Sequence, residues 1–117
     1  MNIEITMVDK SEHFEFICTN FKAWTDPKHF DKTSVLHKNS LDAYNKDGKR
    51  VSFVHGRLEE IKTPSREIVA VTSDKKNVVI PYDVLVLCTG SEYKFPWRAE
   101  GIVNLNERKS VIEKYSK

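Results

Sequence analysis

The feature of this sequence that most restricts its fold is an almost unbroken apolar run, Asp83–Cys88, which ends at Thr89-Gly90. Apolar residues without polar alternation are typical of a parallel strand buried on both faces. Ligands of open α/β sheets gather beyond the carboxyl ends of strands, so Thr89 and Gly90 are candidate binding residues. A glycine there lets backbone approach a ligand with no Cβ between them. Taken alone, the dipeptide equally fits an ordinary strand-to-loop turn.

The rest of the sequence predicts short strands and helices separated by turns. Strands are predicted at 3–8, 50–54, 58–62, 67–72, 77–80 and 83–88, and helices from Pro27 and from Asn104 to near the C-terminus. Residues 73–76 have the composition of a hairpin turn. This order predicts one α/β domain over residues 1–117, with parallel strands and an inserted antiparallel three-stranded meander.

Composition restricts the class of protein. Apolar residues make up 39% and charged residues 31%, which is ordinary for a globular protein. The net charge of +2 is too small to predict a nucleic-acid partner. No apolar run approaches the roughly 20 residues of a membrane-spanning helix, and the N-terminus lacks a signal-peptide pattern. We therefore expect a cytoplasmic protein, in which Cys18 and Cys88 are buried or neutral thiols rather than a redox pair.

Asp9 follows the first predicted strand and is the second candidate binding residue. A carboxylate at the carboxyl end of a parallel strand can accept hydrogen bonds from the two hydroxyls of a ribose, and its charge repels a 2′-phosphate. Lys10 would lie along an adenine or near a phosphate. The alternative is a strand that simply ends in a polar turn.

Val54 precedes His55 and Gly56 at the end of another strand, where its backbone is placed to pair with an adenine edge. We interpret His55 as a turn histidine, because no orienting acid or nucleophile lies near it in sequence. The four histidines lack metal-ligand spacing, so neither a metal site nor a catalytic residue is predicted. Residues 95–97 are expected to pack against the sheet, and the basic residues of the last helix to form a solvated face.

Three segments together resemble the FAD-dependent pyridine nucleotide-disulfide oxidoreductases. Ile5–Phe16 resembles the second strand of the FAD domain in that superfamily. Pro81–Ser91 resembles its later YD-x-L-V-x-A-T-G-S strand, with Cys88 in place of the usual alanine. Ser91–Trp97 is similar to the apoptosis-inducing-factor-like branch of the mitochondrion-associated, ferroptosis-suppressor type. The resemblance covers nearly the whole chain.

The resemblance implies a Rossmann-type domain that binds FAD, with hydride transfer from NAD(P)H to flavin and electron transfer to a quinone-type acceptor. By position, Asp9 would hold the adenosine ribose, Lys10 would flank it, and Val54 would meet adenine through its backbone. Thr89 and Gly90 would approach the cofactor near its phosphates. Members of this family can be associated with mitochondria or lipid membranes.

The sequence departs from the family in its glycines, which stand at 48, 56, 90 and 101 only. The G-x-G-x-x-G loop expected about 20 residues before Asp9 is absent, as is the glycine-rich motif for the nicotinamide nucleotide. The fold is therefore expected to be an incomplete Rossmann-type domain. The absent first strand would leave a gap of about 9.6 Å between the Asp9 strand and the Cys88 strand.

Three hypotheses follow. The first is a truncated FAD-binding fragment of a flavin oxidoreductase, with little or no activity alone. The second is a non-catalytic interaction module whose open sheet edge accepts a strand from a partner chain. The third is a weak nucleotide binder that uses Asp9 and Thr89-Gly90 without the glycine-rich loop.

Overall fold

The computed structural model describes residues 2–46, 50–98, 101 and 104–116. Within these residues the chain is a mixed α/β structure with a four-stranded sheet, a two-stranded sheet and short helices. The elements are β1 (Ile5–Asp9), β2 (His13–Glu15), α1 (Asn20–Thr25), α2 (Phe30–Thr33), β3 (Ser34–Leu36), α3 (His37–Tyr44), β4 (Val51–Lys62), β5 (Glu67–Thr72), β6 (Asn77–Pro81) and α4 (Leu105–Tyr115).

The larger sheet has the strand order β1-β4-β5-β6 and combines two kinds of pairing. β1 runs parallel to β4, with Ile5 opposite Val51 and Asp9 opposite His55. β4, β5 and β6 pair antiparallel in sequence order, so the predicted meander is confirmed. The parallel pair and the meander therefore share β4, which serves both.

The predicted strands 50–54 and 58–62 form this one strand, and Gly56 lies between them. Gly56 is buried, and a Cβ built on it would lie 2.6 Å from the carbonyl oxygen of Val71. No real side chain tolerates that distance, so only glycine lets β5 approach β4 here. The sequence suggested a break at this glycine because strands rarely contain one, whereas the structure uses it for close packing.

A helical layer contains the tightest packing. Ala23, Phe30 and Ile112 are at most 1% exposed, and they bring α1, α2 and α4 together. Trp24 and Leu105 pack against this cluster. The helix predicted from Asn104 is confirmed, and so is the short helical stretch from Pro27, which forms a 3₁₀ turn that leads into α2.

The start of α4 is fixed by hydrogen bonds to its free backbone N–H groups. The Asn104 side chain accepts from the N–H of Glu107 at 2.8 Å, and the Glu107 carboxylate accepts from the N–H of Asn104 at 3.2 Å. This reciprocal capping box satisfies donors that have no partner inside the helix. Glu12 Oε1 also accepts from the N–H of Leu105, at 2.6 Å, which joins α4 to the loop after β1.

The predicted buried strand at 83–88 is wrong in this structure. The apolar segment, as we call residues 84–88, is neither helix nor strand, and no described residue pairs with it as a strand. Val84 is 80% exposed, Val86 74% and Leu87 58%. An apolar run indicates that its side chains favour a buried position. A strand also needs a neighbouring strand whose backbone N–H and C=O groups are free to pair with it. Within the described part of the chain, no strand lies beside it to supply them.

Three smaller expectations are wrong in whole or in part. Cys18 and Cys88 are free thiols, but both are exposed rather than buried. Trp97 packs on Phe21 and Trp24 of α1, with ring centroids 5.3 and 5.5 Å apart, rather than against the sheet. These contacts arise because the chain after the apolar segment returns to the helical layer. The third expectation, a solvated position for Arg108 of α4, is described below with the candidate site.

The described chain is more open than a typical domain of its length. Its radius of gyration is 15.9 Å, against about 13 Å expected for 117 residues. Among the described residues, the buried apolar side chains are Ala23, Phe30, Ile68, Ala70 and Ile112. Of the helices the structure describes, none is long and apolar enough to cross a membrane.

Candidate functional site

Asp9 lies at the carboxyl end of β1, directly opposite His55 of β4. Its Oδ1 accepts a hydrogen bond of 2.8 Å from the N–H of Ser11, so the carboxylate closes the turn that ends the strand. The side chain is 41% exposed. A carboxylate oxygen therefore remains accessible to a ligand at this end of the sheet.

His37, the first residue of α3, lies beside the carboxylate of Asp9. Its Nε2 lies 3.4 Å from Oδ2 of Asp9, and its side chain is 12% exposed. The ring packs 5.1 Å from the ring of Phe53, which holds it beside β4. Burial raises the pKa of Asp9, but His37, the Ser11 N–H and the charge of Arg98 together lower it below its ordinary value.

Arg98 connects Asp9 with the chain that follows the apolar segment. Its Nη1 donates to the carbonyl oxygen of Ser91 at 3.4 Å, and it lies 4.0 Å from the position that a Cβ on Gly90 would occupy. Gly90 has a φ of +70°, a conformation that favours glycine. The charge of Arg98 also lowers the pKa of Asp9, less than His37 and the Ser11 N–H do.

The other predicted binding residues are placed less favourably. The carbonyl oxygen of Lys10 lies 3.0 Å from Nε2 of His55, which joins the two strand ends. Val54 stands opposite Val8 in the parallel ladder. The Ile5 N–H donates to the carbonyl of Arg50, and backbone groups alternate along a strand, so those of Val54 also point toward β1. Their contact with an adenine stays a prediction, and it would compete with the ladder.

Thr89 is exposed in irregular backbone between the apolar segment and Gly90. The sequence predicted Asp9 and Gly90 as binding residues but did not point to His37 or Arg98, which the structure places near Asp9. His37 carried no motif, while Arg98 lies next to Trp97, the last residue of a stretch assigned to packing. No sequence pattern pointed to either residue, because each reaches the site through tertiary contacts.

The described residues contain no group of three or more His, Cys, Asp or Glu side chains that could hold a metal ion. Around Asp9 the site offers a carboxylate acceptor, a guanidinium donor and exposed backbone. Such groups can hold hydroxyls and a phosphate by hydrogen bonds and charge. They do not form a nucleophile–base pair, so the arrangement is suited to binding.

A second polar cluster surrounds Glu15 and Arg108, on the helical side of the molecule. Arg108 is 2% exposed, so its predicted place on a solvated helix face is wrong. Its Nε and Nη2 donate to the two carboxylate oxygens of Glu15, and Nη1 and Nη2 donate to the carbonyls of Pro96 and Trp97 at 2.8 Å. A charge taken out of water needs these partners, because each donor left unpaired would raise the free energy of the fold.

Glu15 is equally satisfied, since the amide of Asn20 donates to Oε1 at 2.6 Å and His13 Nε2 lies 3.6 Å from Oε2. Burial raises the pKa of Glu15, but His13, Arg108 and Asn20 outweigh that effect and hold it at about 2. The charged groups of Arg108 and Glu15 have internal partners, so we assign this pair to stability rather than to ligand binding.

A scan against models of known protein families finds no match, and a search of curated proteins finds no similar sequence.

Proposed function

We propose that this chain binds the adenosine part of FAD as the incomplete Rossmann-type domain of a FAD-dependent NAD(P)H oxidoreductase. The observation that carries the proposal is the position of Arg98, whose charge lowers the pKa of Asp9 and whose Nη1 donates to the carbonyl oxygen of Ser91. Asp9 stands at the carboxyl end of a strand in parallel pairing, where ligands of α/β sheets bind. The resemblance of the flanking sequences gives the cofactor its identity.

Each residue then has a defined role. Asp9 accepts hydrogen bonds from the ribose hydroxyls, and its partner His37 moves aside or shares the oxygen. Lys10 flanks the adenosine, and Val54 contacts adenine through its backbone. Thr89 and Gly90 approach the phosphates. Arg98 adds a positive charge close to Gly90, at the end of the sheet where a diphosphate would pass.

Catalysis needs more than this sequence provides. The sequence contains neither the glycine-rich loop that would place a helix N-terminus at the pyrophosphate nor the glycine-rich motif of a nicotinamide site. We therefore expect the 117-residue polypeptide to bind FAD weakly. We expect no hydride transfer to flavin, and no delivery of electrons to a quinone-type acceptor, by this polypeptide alone.

Isothermal titration with adenosine, ADP and FAD tests the proposal. Asp9→Asn keeps the shape of the side chain and its turn but removes the charge, so we expect affinity for all three to fall about tenfold. Asp42→Asn, on the exposed side of α3, is the matched control and should leave affinity unchanged. Failure of the wild type to bind adenosine, or equal losses in the two variants, would refute the proposal.

A second candidate function is favoured by the exposed apolar segment. Residues 84–88 have the composition of a central strand but no strand partner within the described residues. β1 is also at an edge of its sheet. Such a chain can serve as a non-catalytic module that joins a partner chain by strand addition. Titration with an extended, apolar synthetic peptide, followed by circular dichroism for added strand, separates this candidate from adenosine binding.

A further inference from the structure

The apolar segment exposes more hydrophobic surface than a solitary chain usually does. Val84, Val86 and Leu87 are each more than half exposed, and they are nearly consecutive. Scattered apolar residues on a surface are common, but a continuous exposed patch marks an interaction site. Because alternate side chains point to opposite faces of a strand and both sets are apolar, the segment suits a strand that is covered on both faces.

β1 provides a free edge for such a strand. The Ile5 N–H donates to Arg50 of β4, so alternation turns the backbone groups of Ile5, Met7 and Asp9 toward β4. Those of Thr6 and Val8 point the other way, where no described strand lies. β1 is five residues long, as is the apolar segment. β1 and the apolar segment thus have the same length. β1 has one edge without a strand partner among the described residues, and the apolar segment has no strand partner among them.

Charge distinguishes the antiparallel from the parallel arrangement of β1 and the apolar segment. In an antiparallel arrangement with Val86 opposite Met7, Asp83 stands opposite Lys10 and Cys88 opposite Ile5. In a parallel arrangement with Val86 opposite Met7, Asp83 stands opposite Glu4, and like charges placed directly opposite are destabilising. The antiparallel arrangement also places Leu85 and Leu87 opposite Val8 and Thr6, whose backbone groups face outward. It is therefore the favoured register.

We propose that two copies of this chain form a symmetric dimer in which the apolar segment of each copy adds antiparallel to β1 of the other. One chain carries both halves of the contact, so a two-fold axis forms two ladders at once and closes the assembly. The reciprocal exchange doubles the area buried by a single strand addition. This inference rests on the strand-addition candidate and is not argued from FAD binding.

Analytical ultracentrifugation at about 0.1 mM protein, which populates a dimer with a Kd of about 1 µM, tests the association. We expect the wild type to sediment as a dimer and Val86→Lys as a monomer. Val79→Lys is the matched control, because Val79 is 52% exposed on β6, at the opposite edge of the sheet. A monomeric wild type, or a dimer that Val79→Lys disrupts as strongly, would overturn the proposal.

Cysteine cross-linking tests the register independently of dimer stability. In a Cys18→Ser background, Ile5→Cys should join the native Cys88 of the second copy in a disulfide. Residues 5 and 88 would form a pair without ladder hydrogen bonds, in which Cβ atoms lie about 4.5–5.5 Å apart. Asp9→Cys in the same background reports the parallel register, which places residue 9 opposite Cys88.

We expect Ile5→Cys to give at least about fivefold more cross-linked dimer on a non-reducing gel than Asp9→Cys, since only the former pair lies within disulfide reach. More dimer from Asp9→Cys would overturn the antiparallel register. Peptide binding by a monomeric wild type would leave the strand-addition candidate standing and refute self-association. Adenosine titration is a separate measurement, so failure of self-association and failure of adenosine binding are distinguishable.

Discussion

Arg108 and Glu15 lie 93 residues apart in sequence, and two hydrogen bonds of 3.1 and 2.9 Å join the guanidinium to both carboxylate oxygens. The pair connects α4 with β2, and its remaining donors reach the carbonyls of Pro96 and Trp97. One buried cation thus holds three separate parts of the chain together, in a molecule with few buried apolar side chains.

Glu15→Ala should lower the free energy of unfolding by about 3–5 kcal/mol, because it leaves a buried guanidinium without its anion. Urea titration followed by tryptophan fluorescence measures the change. Glu59→Ala is the control, since Glu59 pairs with Arg57 where the side chains are 38% and 60% exposed, and it should cost less than about 1 kcal/mol. Equal losses in the two variants would contradict the assigned role of Arg108.

Acid should destabilise the protein through the same carboxylate. The folded pKa of Glu15 is about 2 and its ordinary value is 4.5. Because the folded pKa is depressed, the stabilisation is complete above pH 4.5 and is lost as pH falls toward 2. The contribution is on the order of 3 kcal/mol. Urea titrations across this range should show a shallower pH dependence for Glu15→Gln, and an unchanged slope would refute the assignment.

Sequence reasoning reached the parts of this fold that local pattern determines. Residues 67–72 and 77–80 alternate, flank turn residues and form β5 and β6 within one residue of the predicted bounds. Residues 50–54 were also predicted to be a strand, and they form the part of β4 that runs parallel to β1. The Arg108–Glu15 pair could not be predicted, since a basic residue on a short helix is usually solvated and its partner is distant in sequence.

The apolar segment shows the opposite limit. Its composition is that of a buried strand. Burial also requires a second surface that covers the strand, and the sequence of the segment does not say whether the fold provides one. Similarly, Asp9 was predicted as a binding residue because it follows a strand. The position of Arg98 near Asp9 depends on the path of the chain after Gly90, which the sequence does not show. What remains unpredictable from sequence is long-range contact.

The electrostatics of the candidate site can be measured directly. His37 and Arg98 both lower the pKa of Asp9, so His37→Phe and Arg98→Ala should each raise it. We expect the larger change for His37→Phe, whose nitrogen lies 3.4 Å from the carboxylate. A ¹³C NMR titration of the Asp9 carboxyl carbon gives the values. Arg57→Ala is the control, and an Asp9 pKa unchanged by Arg98→Ala would disconnect Gly90 from the site.

Gly56→Ala should destabilise the sheet by about 1–3 kcal/mol, because its Cβ would overlap the backbone of β5. The clash is with the carbonyl of Val71, at 2.6 Å, which no side-chain rotation relieves. Thermal unfolding measures the loss. Thr63→Ala, an exposed position just after β4, should stay within about 0.5 kcal/mol of the wild type. If Gly56→Ala is equally mild, β4 and β5 separate more readily than the structure implies.

β4 is twelve residues long and pairs with both β5 and β1, and we expect these two pairings to form one after the other during folding. The meander joins neighbours in sequence, whereas β1 must find a strand more than 40 residues away. Closing a short loop loses less chain entropy than closing a long one. We therefore expect the hairpins of β4, β5 and β6 to form first, and β1 to pair with β4 afterwards. The nascent chain therefore holds its N-terminal strand unpaired until β4 has been made.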